Sequence, residues 1–176
     1  MSELRKANTD LAYFLTITVV GWIDIFTRSR YNDIIINSLK YCQKNKTLDI
    51  FAYVIMPSHL HLVARNLEGN LNLVIRDFKR HTANEIISAA ENETGESRKD
   101  WLLHMFRYHA RFKRQNTKYQ FWQKTNYPIE LKSSSVIDQK IEYIHNNPVE
   151  AGLVLRPECW QYSSANEMNK IDILLP

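Results

Sequence analysis

The chain has 176 residues, 44% of them apolar and 11% aromatic, enough for one domain with a sizeable core and no dependence on disulfides or a structural metal. Its two cysteines, Cys42 and Cys159, are far apart and show no Cys-x-x-Cys spacing, which excludes a disulfide framework and a cysteine zinc ribbon and suits a reducing, cytoplasmic setting. Four scattered glycines cannot build a phosphate-cradling loop, no apolar run reads as a signal peptide or membrane span, and the net charge of +4 is modest until it is mapped.

Residues 13–20, YFLTITVV, are β-branched and aromatic and predict a buried strand. Residues 31–45 predict a helix from the recurrence of Ile34, Ile35, Leu39 and Cys42. Residues 48–56 and 59–66 predict two further strands; the Pro57-Ser58 turn between them is so short that they must be antiparallel neighbours. Residues 71–90 predict a second long helix, with Leu71, Val74, Ile75, Phe78 and Ile86 as its apolar stripe. A polar stretch at 91–100 reads as a loop, and some helix is expected over 101–112. A fourth strand is expected within 121–131, displaced to an edge or bent by Pro128. Ser133, Ser134 and Ser135 offer an N-cap to a last helix that Pro148 is expected to stop, and the tail from about residue 160 is expected to lie over the surface. The order β-α-β-β-α-β with a further helix predicts a single α+β domain of ferredoxin-like architecture, a central antiparallel sheet with helices packed on it.

Residues 98–124 hold eight cations, among them Arg107, Arg111, Lys113, Arg114 and Lys118, against the single carboxylate of Asp100. That window is +7, which leaves −3 for the rest of the chain. It also holds Trp101, Phe106, Tyr108, Phe112, Tyr119, Phe121 and Trp122. Cations attract phosphates and exposed aromatic faces stack on unpaired bases, so the pattern fits single-stranded or distorted nucleic acid; a solvated basic loop with a few core aromatics fits it as well. Arg76, Lys79 and Arg80 recur at helical spacing and add a basic ridge.

Two patterns carry chemistry. In His59-Leu60-His61 the strand period of two puts both imidazoles on one face, where they could share a divalent ion. On the last helix Val136, Lys140, Tyr143 and Asn147 form one stripe and Ile137, Ile141 and Ile144 another. Tyr143 and Asn147 are one turn apart and can face one target. Taken alone, each pattern also fits an ordinary structural role: a polar strand face, a packing tyrosine, a capping asparagine. Together they suggest an ion on two imidazoles and an amide oxygen, polarising a phosphodiester that the Tyr143 hydroxyl attacks.

The segment MPSHLHLVAR resembles the His-hydrophobe-His motif of the HUH endonucleases. FWQK, followed some way on by YIHNNPVEAGLV, resembles the REP-associated tyrosine transposases, a branch of the IS200-like single-tyrosine transposases. The resemblance spans residues 10–165 and implies a ferredoxin-like HUH domain that nicks and rejoins single-stranded DNA at hairpins. It implies that His59, His61 and Asn147 bind Mg²⁺ or Mn²⁺, and that Tyr143 takes the 5′ phosphate and leaves a free 3′ hydroxyl. It makes residues 92–118 a basic-aromatic insertion, with Arg107, Arg111, Lys113, Arg114, Lys118 and Trp122 expected on hairpin DNA and Arg76, Lys79 and Arg80 on its phosphates. After FWQK the sequence departs from the family pattern, and Tyr127 ranks second as nucleophile. A domesticated hairpin-binding protein without cleavage activity is the alternative function, and both a monomer and a homodimer fit.

Overall fold

The computed structural model describes residues 11–92, 95–112, 118–168 and 171–175. Four strands, β1 (Ala12–Thr18), β2 (Leu48–Met56), β3 (His59–Asn66) and β4 (Ile129–Leu131), form one antiparallel sheet in the order β2-β3-β1-β4. The helices are α1 (Ser29–Lys46), α2 (Leu71–Asn92), α3 (Lys99–Ala110) and α4 (Ser134–Glu150). This is the expected ferredoxin-like α+β architecture, with α3 inserted between α2 and β4.

Strand alternation divides the apolar residues between two faces. Leu15, Ile17, Leu60, Leu62 and Ile55 point into the larger core beneath α1, α2 and α3. Phe14, Val54, Met56 and Val63 point the other way, where α4 covers them with Ile137, Ile141 and Ile144. The stripes read from the sequence are therefore the buried ones: Ile35, Leu39 and Cys42 on α1, with Ile34 only partly buried beside them, and Leu71, Val74, Ile75, Phe78 and Ile86 on α2. Asn66, at the end of β3, joins these pieces. Its amide donates to Lys46 O (2.7 Å) at the end of α1, and its Oδ1 accepts from Asn70 N (2.8 Å) before α2.

Two expectations are corrected, the stop at Pro148 and the purely superficial tail, while the fourth strand lies at the sheet edge after Pro128 as expected. Pro148 does not stop α4, which continues to Glu150. Proline's fixed φ is itself helical, so the chain passes through it and gives up only one amide donor. Asn147 consequently keeps helical geometry one turn beyond Tyr143. The fourth strand is short because residues 119–128 follow the edge of β1 irregularly: Val20 N donates to Phe121 O, Gln123 N to Thr18 O and Thr16 N to Asn126 O, and regular pairing resumes only at Ile129. Tyr127, at φ 43°, makes the bend before Pro128. Nor does the tail merely lie on the surface. Ile55 N donates to Tyr162 O, Ser164 N to Tyr53 O and Leu174 N to Ile50 O, so the tail covers the free edge of β2.

The segment leading into α3 is pinned by Glu96. Its side chain is fully buried and its carboxylate accepts from Tyr31 Oη (3.1 Å), with Arg28 and Arg30 at 3.3 Å and Arg98 at 3.2 Å. Burial alone would raise its pKa, but hydrogen bonds from Arg98 and Tyr31 bring it on balance below the usual 4.5. A depressed folded pKa means that this carboxylate stabilises fully above the unfolded value and loses its contribution as pH falls through the folded one. Glu96→Ala should lose about 2–3 kcal/mol of stability at pH 7, and less at acid pH, in denaturant titrations. An unchanged midpoint at pH 7 would show that the cluster does not hold the α3 segment.

Candidate active site

The register of β1 against β3 sets His61 opposite Thr16 and His59 opposite Thr18. Both imidazoles lie on the face that α4 covers. Their ring centroids are 4.7 Å apart. His61 is 5% exposed, its ring stacked on Phe14 at 5.2 Å. Its pKa is pushed down to about 3 by burial, with smaller contributions from His59 and from the Lys140 ammonium. Burial also lowers the pKa of His59. Each ring uses Nδ1 locally, His61 with Thr16 Oγ1 (3.1 Å) and His59 with Ser58 Oγ (3.2 Å). Nε2 of each ring has no hydrogen-bond partner among the described residues. A neutral imidazole oriented through Nδ1 with Nε2 unspent is the form that binds a metal ion.

Helix α4 starts where Ser133 caps it, its Oγ accepting from Val136 N. The isoleucine stripe packs on the sheet, which turns the neighbouring stripe toward the end of β1 and β3. The ring of Tyr143 meets His61 at 5.5 Å and Phe14 at 5.8 Å, in both cases edge to face. The Lys140 ammonium is 5.1 Å from the Phe14 ring and 5.3 Å from that of Tyr143. Tyr143 is 38% exposed. Asn147 follows one turn on, half-buried. Tyr127 is 59% exposed, and no ring contact joins it to either imidazole among the described residues. The structure thus brings His59, His61, Tyr143 and Lys140 together, with Asn147 on the same helical stripe.

Among the described residues no three His, Cys, Asp or Glu side chains gather as a metal site. The donors that the structure brings together are two imidazoles, a pair that suits Mn²⁺ better than the oxygen-preferring Mg²⁺.

One neighbour escaped the sequence reading. Trp22 is 58% exposed, and its ring meets that of His59 edge-on at 5.4 Å. It stands in the turn after β1 with φ 55°, a left-handed value that costs a non-glycine residue about 1 kcal/mol or more. Gly21 before it has φ 62°, and a Cβ there would come within 2.7 Å of His109 Nε2 on α3. The signal available in the sequence was a Gly-Trp pair directly after a buried strand.

The residues expected on DNA separate into groups. Arg76 and Arg80 on α2 have side chains 64% and 70% exposed, and both pair with Asp77. With Lys79 and Lys124 they line a groove of 590 Å³ between α2 and residues 119–126. Lys79 is less available, because it donates to Gln123 O (2.7 Å) and Asn126 Oδ1 (2.5 Å) and so ties α2 to that segment. Arg107 donates to Tyr119 Oη (3.0 Å), Lys118 pairs with Glu91 (3.1 Å), and Arg111 is exposed. Lys113 and Arg114 lie outside the described residues.

Trp122 is corrected from a DNA contact to a core residue. It is 5% exposed, stacks on Phe26 at 5.8 Å, and its indole N–H donates to Thr82 Oγ1 at 3.0 Å. Phe106 and Phe121 are buried with it, whereas Trp101, Tyr108 and Phe112 remain exposed.

The fold has a counterpart among solved structures. A REP-associated tyrosine transposase, solved bound to a REP hairpin, superposes with a TM-score of 0.64 over 93% of this chain and 82% of that one, at 16% sequence identity. The two chains share one α+β fold over most of their length. No family model matches the chain, and no curated protein matches it in sequence. No helix among the described residues is long and apolar enough to cross a membrane.

Trp122→Phe removes a buried hydrogen bond and should destabilise the protein by about 1–2 kcal/mol in denaturant titrations without changing affinity for a DNA hairpin. A variant of normal stability with weakened hairpin binding would return Trp122 to the DNA surface.

Proposed function

We propose that the protein is a metal-dependent single-strand endonuclease and strand transferase that acts beside hairpin DNA, with Tyr143 as nucleophile. The observation that carries this reading is the meeting of the Tyr143 and His61 rings at 5.5 Å, with His59 4.7 Å beyond His61. A phenol from near the end of the chain is held beside a mid-chain imidazole pair. The shared fold with a transposase that binds a REP hairpin supports the choice of substrate.

In this reading His59, His61 and the Asn147 amide hold Mn²⁺ or Mg²⁺. A bound ion would supply Lewis-acid polarisation of a phosphodiester oxygen. The chain's own residues do the rest. Phe14 and His61 fix the plane of the Tyr143 ring, so its hydroxyl keeps one direction. That hydroxyl gives its proton to solvent, its oxygen bonds to phosphorus, and the P–O3′ bond breaks. The released O3′ takes up a proton and becomes a free 3′ hydroxyl, while the 5′ phosphate stays on tyrosine. One phosphate ester replaces another, so a 3′ hydroxyl can reverse the step or join a different strand. Lys140 is placed to meet negative charge as it develops on the transferring group. Arg76, Arg80 and Lys124 offer phosphate contacts along the groove.

With Mn²⁺ and a labelled hairpin oligonucleotide carrying single-stranded flanks, the wild type should form a covalent adduct that survives a denaturing gel. Tyr143→Phe should abolish the adduct and keep hairpin affinity. Binding without any adduct in the wild type would favour a hairpin-binding protein that no longer cuts, and an adduct lost only in Tyr127→Phe would move the nucleophile to that residue.

A further inference from the structure

Four aromatic rings form a chain of contacts at the site: Trp22, His59, His61 and Tyr143. Successive centroids are 5.4, 4.7 and 5.5 Å apart. The imidazole pair is the middle of this chain, Tyr143 touches it through His61, and Trp22 touches it through His59. Resting on the reading of Tyr143 as nucleophile, we propose that Trp22 is the stacking platform for the base on the leaving side of the scissile phosphate, the nucleotide whose 3′ oxygen Tyr143 displaces.

The argument starts from exposure. Trp22 leaves 58% of its surface in solvent next to the half-buried His59, and its neighbours Val20 and Ile23 in the same turn are 4% exposed. The turn is not loose. Val20 N donates to Phe121 O (2.8 Å), Trp22 N to Val19 O (3.2 Å) and Ile25 N to Ile23 O (2.9 Å), and His109 presses against Gly21. An anchored turn thus presents a large ring in a left-handed conformation that tryptophan rarely adopts. Strain of this kind persists where surrounding structure enforces it, and it collects at ligand sites.

The chemistry then selects the ligand. In-line displacement at phosphorus puts the attacking and leaving oxygens on opposite sides of the transferring group. With phosphorus at the imidazole pair and attack from the Tyr143 end, the leaving nucleotide extends toward Trp22. Its base must be unpaired there, and an indole face is the side chain that holds an unpaired base of any sequence. Aromatic rings on unpaired bases contribute about 10- to 100-fold in affinity each.

The test pairs protein and DNA changes. Binding would be followed by anisotropy of a fluorescein-labelled hairpin with single-stranded flanks, with Mn²⁺, in a Tyr143→Phe background that prevents cleavage. An abasic residue would be moved through the flank in which the Tyr143 adduct maps the cut. Trp22→Ala should weaken binding about 10-fold or more and Trp22→Phe much less. An abasic residue immediately 5′ of the cut should reproduce the loss, and Trp22→Ala should lose nothing further on that oligonucleotide. Thermal unfolding of each variant separates this from misfolding. Unchanged affinity in Trp22→Ala, full additivity of the two losses, or the greatest abasic loss 3′ of the cut would each overturn the proposal. Such results alongside an intact wild-type adduct would leave Tyr143 in its role, whereas absence of the adduct bears on Tyr143 itself.

Discussion

The site depends on how α4 is laid across the sheet. Ile137, Ile141 and Ile144 bury against Phe14, Val54 and Val63, and that packing fixes the rotation of the helix about its axis. Once the rotation is fixed, Tyr143 faces His61, because residues 140, 143 and 147 lie about 100° round from the isoleucine stripe. On the opposing surface the pleat of β3 sends His59 and His61 the same way, with Leu60 and Leu62 entering the other core. Two periodicities, one of a strand and one of a helix, place the reactive groups together.

The electrostatics follow from the same geometry. The imidazole pair is desolvated by the helix that covers it, which keeps His61 neutral across physiological pH. Thr16 and Ser58 then decide which ring nitrogen stays available. Lys140 is the cation at this site, while Arg76, Arg80 and Lys124 line a separate groove between α2 and residues 119–126. That separation suits a polyanion that must be gripped along its length and opened at one phosphodiester.

Much of this was legible in the sequence, for physical reasons. The strand run 59–66 and the helix stripes of α2 and α4 show in the spacing of apolar residues, so the sheet and its helices could be read before any coordinates, whereas the His59–His61–Tyr143 set was singled out by the resemblance of MPSHLHLVAR and YIHNNPVEAGLV to family motifs. What stayed hidden depends on tertiary context. Composition cannot tell a stacking tryptophan from a packing one, so Trp122 was read as a DNA contact when it fills the core beside Phe26, and Trp22 went unremarked although it flanks His59. Lys79 reads as one cation of a basic ridge, yet it bonds the carbonyl of Gln123. Pro148 reads as a helix stop because the rule concerns the lost donor, while its φ is compatible with the last turn of α4. The tail carries no strand periodicity, because it pairs with β2 only at isolated points.

The central claim is that one divalent ion is shared by the imidazoles of His59 and His61 within reach of the Tyr143 hydroxyl. Anomalous diffraction from crystals grown with Mn²⁺ tests it directly. The account predicts a single strong peak bonded to Nε2 of both histidines, with the Tyr143 oxygen and the Asn147 amide turned toward it. Manganese bound elsewhere with the imidazole pair bare, or at the pair with the Tyr143 hydroxyl directed away from it, would contradict it.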